Sequence, residues 1–206
     1  LQSEDYHLRY AARIAIEWQD TKNWANQAYA ENNDLSAIHA LLGLARSDHS
    51  NSMEPSINRL LKVNFSKLDK TAKLALLRTY SVIISRAGKP SQSQMDAMGK
   101  QLDPYYPSED DNLNEELCRV LSFLQHPTVV SKTIALLKTT KAKVPDFDPE
   151  IMKRGNNYGK RILTTMNEEV SPNILNIHYL FCLKDVTKGW SMEERKSYLG
   201  ELKNLL

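Results

Sequence analysis

Four acidic or amide side chains stand in a row at positions 109–112, within the stretch "PSEDDNLNEELCRVL". Carboxylate oxygens are preferred ligands of Ca²⁺ and Mg²⁺, so this run is the first candidate for a metal site or a catalytic carboxylate pair. An EF-hand calcium loop needs alternating acidic residues and a glycine in mid-loop. Glu109, Asp110 and Asp111 are adjacent instead, and no glycine follows them. Because acidic residues also accumulate where a helix begins, we predict a helix start here, with Asn112 and Glu115 as a capping box.

The histidines form no helical metal-binding pair, because no two of them lie three or four residues apart. They are His7, His39, His49, His126 and His178. The stretch "RSDHS" at 46–50 contains Ser, Asp and His, but catalytic triads assemble from distant segments, so we predict a polar turn. His178, within "NIHYLF", is expected to be a hydrogen-bonded core histidine.

The two cysteines, Cys118 in "ELCRVL" and Cys182 in "YLFCLK", lie in apolar helical patterns. Neither belongs to a CxxC motif, and no CxxCH motif for covalent haem attachment is present. We predict that both are small buried hydrophobic residues. The sequence therefore predicts no catalytic residue, no cofactor-binding residue, no metal ligand and no cofactor.

Helices are indicated along almost the whole chain, because apolar residues recur at spacings of three and four. The first helix, from Tyr6 to Trp18, is expected to bury one apolar stripe, formed by Leu8, Ala11, Ala12, Ala15 and Ile16. About eleven helices joined by short turns are predicted, and the first members of successive pairs begin near residues 6, 34, 68, 112 and 171. This pattern favours an all-α fold, a HEAT-like α-solenoid of about five antiparallel helix pairs forming one domain over residues 1–206. A compact helical bundle is the alternative.

Several helix ends carry specific signals. Gly88, followed by Pro90, predicts the end of a long helix, and Ser191 with Glu194 predicts a capping box for the last one. Trp190, just before that cap, is expected to pack one helix against the next. A helix over about 149–166, which contains two glycines, is the weakest of the set.

The composition excludes several classes of protein. The chain has 206 residues, of which 27 are basic and 25 are acidic, so the formal net charge is only +2. A dedicated nucleic-acid-binding protein usually has a clear basic excess on one face, and we expect no nucleic-acid partner. No apolar stretch approaches the roughly 20 residues that cross a bilayer. The chain begins without Met and without a signal peptide, and we expect it to be a piece of a longer protein.

Four phrases carry a resemblance to a known family. They are "LRYAARIAIEWQ", "LDPYYP", "LNEELCRVLSFLQHPTVVSKTIALL" and "IHYLFCLKDVTKGWSMEERKSYL". These phrases resemble a HEAT-repeat region of large exported bacterial proteins, mostly of Planctomycetes and Bacteroidetes. In those proteins such repeats typically follow a β-propeller of the sorbosone-dehydrogenase type, and a small c-type cytochrome domain often comes later. The resemblance covers most of the chain, is weakest around 145–167, and transfers no catalytic residue to it.

The resemblance implies a non-catalytic scaffold or protein-interaction domain of an exported multidomain oxidoreductase-type protein, located in the periplasm, at the cell surface or outside the cell. Its partners would be other domains of its own chain or another protein. Two alternatives remain open. One is a HEAT-like nucleic-acid-binding or DNA-glycosylase-type domain, which needs a basic concave groove with a carboxylate and aromatic residues. The other is a peptide- or carbohydrate-binding module, which needs an exposed cluster of Trp and Tyr.

Overall fold

The fold of the described residues is all-α. A computed structural model of the chain describes residues 1–47, 52–140 and 174–204, and these residues contain helices and no strand. The α-helices are α1 (Tyr6–Glu17), α2 (Ala25–Ala30), α3 (Asp34–Ser47), α4 (Met53–Leu60), α5 (Lys70–Ala87), α6 (Gln92–Leu102), α7 (Asp111–Phe123), α8 (Val129–Thr139), α9 (Ile174–Leu183) and α10 (Met192–Asn204). Three single-turn 3₁₀ helices lie at Thr21–Asn23, Phe65–Lys67 and Asp103–Tyr105. The helix predicted over 149–166 and the polar turn predicted at 46–50 fall largely or wholly outside these ranges.

The ends of the helices follow local capping chemistry. At α10 the predicted capping box is confirmed: the Ser191 amide donates to Glu194 Oε2 at 2.7 Å, and the Glu194 amide donates to Ser191 Oγ at 3.2 Å. Gly88 ends α5 with a φ of 95°, a conformation that favours glycine, so the predicted stop is also confirmed.

The capping box predicted at Asn112 and Glu115 is wrong. Helix α7 is capped by Asp110, whose carboxylate accepts a hydrogen bond from the Leu113 amide at 3.1 Å. The same carboxylate lies 2.5 Å from Lys70 Nζ of α5. Asp110 and Asn112 are both of a type that caps helices. The one that caps α7 is the one that also contacts Lys70 of α5, and the local sequence does not show this contact.

Alternate helices pack on one another. Helix α1 contacts α3, α3 contacts α5, α5 contacts α7 and α7 contacts α9, while α2 contacts α4 and α8 contacts α10. The helices of the first series are the ones whose starts the sequence placed near residues 6, 34, 68, 112 and 171. Their inward faces supply most of the buried apolar residues, with Leu41, Leu76, Leu117 and Leu183 fully inaccessible to solvent.

Polar side chains connect the helices at defined points. The buried Arg59 of α4 donates to the Glu31 carbonyl at 2.7 Å and to the Asp34 carboxylate at 3.0 Å, which fastens α4 to the turn before α3. Between α5 and α6, Tyr80 donates to Gln101 Oε1 at 2.7 Å. Buried polar groups of this kind need partners, and these contacts supply them.

The predicted burial of Leu8, Ala11 and Ala15 is wrong, because all three are exposed. Leu8 is 61% exposed, whereas the neighbouring Arg9 is only 8% exposed and donates to the carbonyls of Ser3 and Glu4. Helix α1 packs mainly on α3, and it approaches α3 closely at Gly43. The face of α1 that meets α3 carries long polar side chains whose aliphatic stems pack, so hydrophobicity alone does not identify it.

Candidate functional site

The acidic run lies at the start of α7. Asp110 caps α7 and pairs with Lys70, and Asp111 is the first residue of the helix, while Glu109 is exposed. The hydrogen bond and charge of Lys70 and the helix amides lower the pKa of Asp110 below its ordinary value. Within the described residues no group of three or more His, Cys, Asp and Glu side chains is placed to hold a metal ion.

The histidines have separate environments. His49 lies outside the described residues, and His7 is exposed at the start of α1. His39 lies near Arg9 and Arg13 of α1. Burial, together with the charges of these two arginines, lowers its pKa to about 4. His39 is therefore neutral at neutral pH.

His126 belongs to a polar cluster that joins the turn after α6 to the start of α8. Its Nδ1 lies 3.0 Å from Thr128 Oγ1, and the Asp103 carboxylate accepts hydrogen bonds from the Thr128 hydroxyl and from Lys132 Nζ, the latter at 2.7 Å. Burial opposes the ionisation of Asp103, but the hydrogen bonds from Lys132 and Thr128 outweigh it and lower the pKa of the carboxyl group. The cluster clamps the turn after α6 to the start of α8, and its His126 lines a groove.

This groove lies between the N-terminal part of α6, the exposed side of α7, and α9 with the turn that follows it. It has a volume of about 980 Å³. We call it the α7–α9 groove. Its apolar lining includes Phe123 and Phe181, which are 42% and 63% exposed. Three cationic side chains also line it, Lys89, Arg119 and Lys188.

The charges of the α7–α9 groove are unevenly neutralised. Arg119 pairs with Glu116 at 2.6 Å, and the carboxylate Asp96 accepts a hydrogen bond from Gln92 at 2.8 Å. Lys89 and Lys188 are exposed and make no ion pair with any carboxylate of the described residues. Asp185 also lines the groove, 3.9 Å from Lys184, and the neutral Gln92 amide does not cancel the charge of Asp96. With three cationic and two anionic side chains, the lining carries a small positive excess.

His178 lines the groove and is hydrogen-bonded as predicted, but it is only partly buried and is not a core residue. Its Nε2 lies 3.0 Å from the Glu115 carbonyl oxygen and 3.4 Å from Cys182 Sγ. Because a carbonyl oxygen only accepts hydrogen bonds, Nε2 must carry the proton in this arrangement. The single Nε2 proton is therefore directed to the Glu115 carbonyl, and Nε2 is not available to Cys182 as a base.

The two cysteines are neighbours across the contact between α7 and α9. Cys118 is fully buried, as the sequence predicts, whereas Cys182 is only partly buried and lines the groove. Each thiol is the largest influence on the pKa of the other. The sequence analysis missed this pairing, although both cysteines lie on predicted first members of successive helix pairs.

Hydroxyl groups surround the Cys118 sulfur. Thr133 Oγ1 lies 3.7 Å from it and Ser122 Oγ 3.9 Å from it, and Tyr106 hydrogen-bonds Thr133 at 2.7 Å. The hydrogen bond from the Cys182 thiol, followed by those of the hydroxyl groups, lowers the pKa of Cys118 to about 7, although burial opposes this. The pKa of Cys182 is raised, because its proton is held towards Cys118 and because it is partly desolvated.

The aromatic residues outside the groove have other positions. Trp190 donates to the Val186 carbonyl at 2.7 Å and packs edge-on against Tyr198 at 5.3 Å, which joins the turn after α9 to α10 as predicted. On α1, the exposed rings of Tyr6 and Tyr10 stack at 6.4 Å, and Trp18 is 84% exposed.

Comparison of the chain with protein-family models, with curated proteins and with solved structures finds no match. Among the described residues, no helix combines the length and the apolar character needed to cross a membrane.

Proposed function

We propose that this chain is a non-catalytic, HEAT-like helical-repeat domain that contacts another protein segment, and that the α7–α9 groove is the contact surface. The observation that carries the proposal is the series of contacts from α1 to α3, α5, α7 and α9. In helical-repeat proteins each pair contacts mainly its neighbours, and the resulting surface grooves bind extended partners. A series of this kind supports the α-solenoid of about five antiparallel pairs over a compact bundle.

The chemistry of the groove favours an extended acidic peptide that carries apolar side chains. Phe123 and Phe181 offer exposed rings to apolar side chains, and Lys184 Nζ lies 3.9 Å above the Phe181 ring. Lys89 and Lys188 offer positive charge that the described carboxylates leave unpaired. Charges at the edge of an interface act mainly on association rate and specificity, whereas buried aromatic anchors contribute most of the affinity.

Two further parts of the proposal rest on the resemblance of the quoted phrases. We propose that the chain is part of an exported multidomain oxidoreductase-type protein, and that its compartment is the periplasm, the cell surface or the exterior. The partner segment then belongs to another domain of the same polypeptide or to a separate protein. The complete open reading frame tests this: a propeller domain upstream or a CxxCH motif downstream supports it, and a reading frame that holds this chain alone refutes it.

The groove is tested by selecting peptides from a random displayed library against the purified protein and measuring affinities by fluorescence anisotropy. We expect the selected peptides to combine acidic with aromatic or aliphatic residues. The double variant Lys89→Glu/Lys188→Glu should weaken their binding about tenfold at low salt, which corresponds to about 1.4 kcal/mol. The variant Phe181→Ser should weaken binding at any salt concentration, because it removes an apolar contact.

The matched control is a second double variant that makes the same change of charge at two lysines outside the groove. Lys22 and Lys62 are exposed lysines outside the groove, and Lys22→Glu/Lys62→Glu should leave peptide affinity within a factor of two or so at moderate salt, where distant charges are screened. Equal losses from both double variants would show that net charge, and not the groove, governs binding. Binding of duplex DNA at low salt that exceeds peptide binding would favour the nucleic-acid alternative.

A further inference from the structure

The contact between α7 and α9 brings together the only two cysteines of the chain. Cys118 projects from α7 and Cys182 from α9. Contacts on either side of them align the two helices, since His178 Nε2 meets the Glu115 carbonyl and Gln125 bonds the residues that follow α9, so the two thiols lie at the same level of the contact. Each thiol also perturbs the pKa of the other. Neither is oxidised in this structure, where both are free thiols. A pair that meets across two packed helices differs from a lone buried cysteine, because one sulfur can react with the other.

We propose that Cys182 and Cys118 are a redox-reactive pair that a hydroperoxide converts into an intramolecular disulfide between α7 and α9, with Cys182 reacting first. This inference rests on the two thiols and their surroundings, and it is independent of the partner proposed for the groove.

Access to solvent sets the order of the reaction. Cys182 is partly exposed and lines the groove, so a small oxidant reaches its sulfur directly. Cys118 is 0% exposed and is enclosed by core residues. Oxidation of cysteine follows thiolate character and exposure together. In this pair Cys118 has the lowered pKa, and only Cys182 is partly exposed.

The surroundings favour negative charge on Cys118, whose pKa is lowered, whereas the pKa of Cys182 is raised. His178 Nε2 lies 3.4 Å from Cys182 Sγ, and the hydroxyl oxygens of Thr133 and Ser122 lie 3.7 and 3.9 Å from Cys118 Sγ. The anionic pair shares one proton between two sulfurs. When that proton moves to Cys118, the accessible sulfur becomes the thiolate, which is the nucleophilic form.

The chemistry balances with one hydroperoxide per disulfide. The Cys182 thiolate attacks the terminal oxygen, the O–O bond breaks, and the leaving hydroxide or alkoxide takes up a proton, which leaves Cys182 as sulfenic acid. The Cys118 sulfur then attacks the Cys182 sulfur, the S–O bond breaks, and the departing hydroxide combines with the Cys118 proton to form water. Two thiols lose two electrons in total, and the hydroperoxide gains them.

The test treats the reduced protein with a small molar excess of hydrogen peroxide and measures intact mass and free thiols. We expect wild type to lose both free thiols and two hydrogen atoms in mass, to remain monomeric on a non-reducing gel, and to recover both thiols with a dithiol reductant. Disulfide-linked dimers, or an oxidised Cys182 beside a free Cys118, would overturn the proposal.

Two variants identify the order of events. Cys118→Ser removes the second thiol, so Cys182 should accumulate as sulfenic acid and be labelled by dimedone, which wild type should avoid. Cys182→Ser should leave Cys118 unoxidised under the same conditions. Dimedone labelling of Cys118 in that variant would refute the proposed order.

The serine introduced at the buried position 118 could disturb folding. A measurement on the wild-type protein therefore tests the difference in access without any substitution. A short pulse of N-ethylmaleimide on the reduced native protein should label Cys182 alone, and Cys118 should react only after denaturation. Equal labelling of both cysteines in the native protein would remove the difference in access on which the inference depends.

Discussion

Gly99 provides the sharpest test of the packing that forms the groove wall. It lies within α6, and a Cβ atom added there would be 2.5 Å from His126 Cδ2 and 3.3 Å from His126 Nε2. The imidazole cannot swing away freely, because its Nδ1 is held 3.0 Å from Thr128 Oγ1. The variant Gly99→Ala therefore forces either α6 or the Thr128 contact to move.

Two opposing effects decide how much Gly99→Ala changes the free energy of unfolding. Replacing glycine by alanine inside a helix stabilises it by about 1 kcal/mol. Overpacking a well-filled contact costs about 1–3 kcal/mol. Because the clash is with a ring that is held in place, we expect the upper part of that range. We therefore expect Gly99→Ala to lower the free energy of unfolding by about 1–2 kcal/mol, measured by urea denaturation followed by far-ultraviolet circular dichroism.

The matched control is Gly200→Ala in α10, where nothing lies within 4 Å of the added Cβ atom. This variant should be more stable than wild type by about 1 kcal/mol, because only the helix propensity changes. The His126→Ala background should relieve most of the penalty at Gly99, which a double-mutant cycle measures. The reasoning is refuted if Gly99→Ala and Gly200→Ala change the stability equally, or if the cycle finds no coupling between Gly99 and His126.

Three further predictions concern charge and capping. Asp103→Asn should destabilise the protein at neutral pH; because the folded-state pKa of Asp103 is lowered below 3.8, the difference from wild type should persist above that pH and fade as the pH falls through it, as acid-dependent unfolding would show. The pKa of His39 is lowered from 6.5 to about 4, so the free energy of unfolding of wild type should fall by on the order of 1–2 kcal/mol between pH 6.5 and pH 4, after allowance for partial exposure. The variant His39→Gln should not show this fall. An unchanged dependence of stability on pH in the variant would contradict the assignment. Ser191→Ala should lower the free energy of unfolding by about 1 kcal/mol because it deprives the Glu194 amide of its acceptor. Ser191→Asp, which supplies a carboxylate acceptor, should restore most of that stability.

The helices themselves were largely predictable from the sequence, because their signals are local. The 3.6-residue periodicity marks each helix, and residues such as Gly88 or the pair Ser191 and Glu194 mark its ends without reference to the rest of the fold. The errors come where a tertiary contact changes a local preference. Asp110 caps α7 and also pairs with Lys70 of α5, and Lys70 is far away in the sequence.

The packing face of α1 shows a second limit. A hydrophobic stripe predicts burial only when the facing helix offers an apolar surface of matching position. Helix α3 presents Gly43 to α1, and the stems of Arg13 and Glu17 lie 3.4 and 3.3 Å from where its Cβ would be. The long polar side chains therefore lie in the contact, and Leu8 remains outside it. Which residue of an amphipathic helix is buried depends on its partner.

The groove and the thiol pair both depend on the position of α9, and the sequence does not contain that position in any single segment. Helix α9 is held near both ends by α7: Nε2 of His178 reaches the Glu115 carbonyl, and Gln125 donates to the Asp185 carbonyl at 3.1 Å while accepting from the Thr187 amide at 2.8 Å. These contacts fix the rotation of α9 so that Cys182 faces Cys118 and Phe181 remains exposed. If first members of successive pairs pack on each other, the sequence places the two cysteines on adjacent helices. Only the rotation fixed by these three contacts brings their sulfurs together, and the same rotation leaves the groove open beside them.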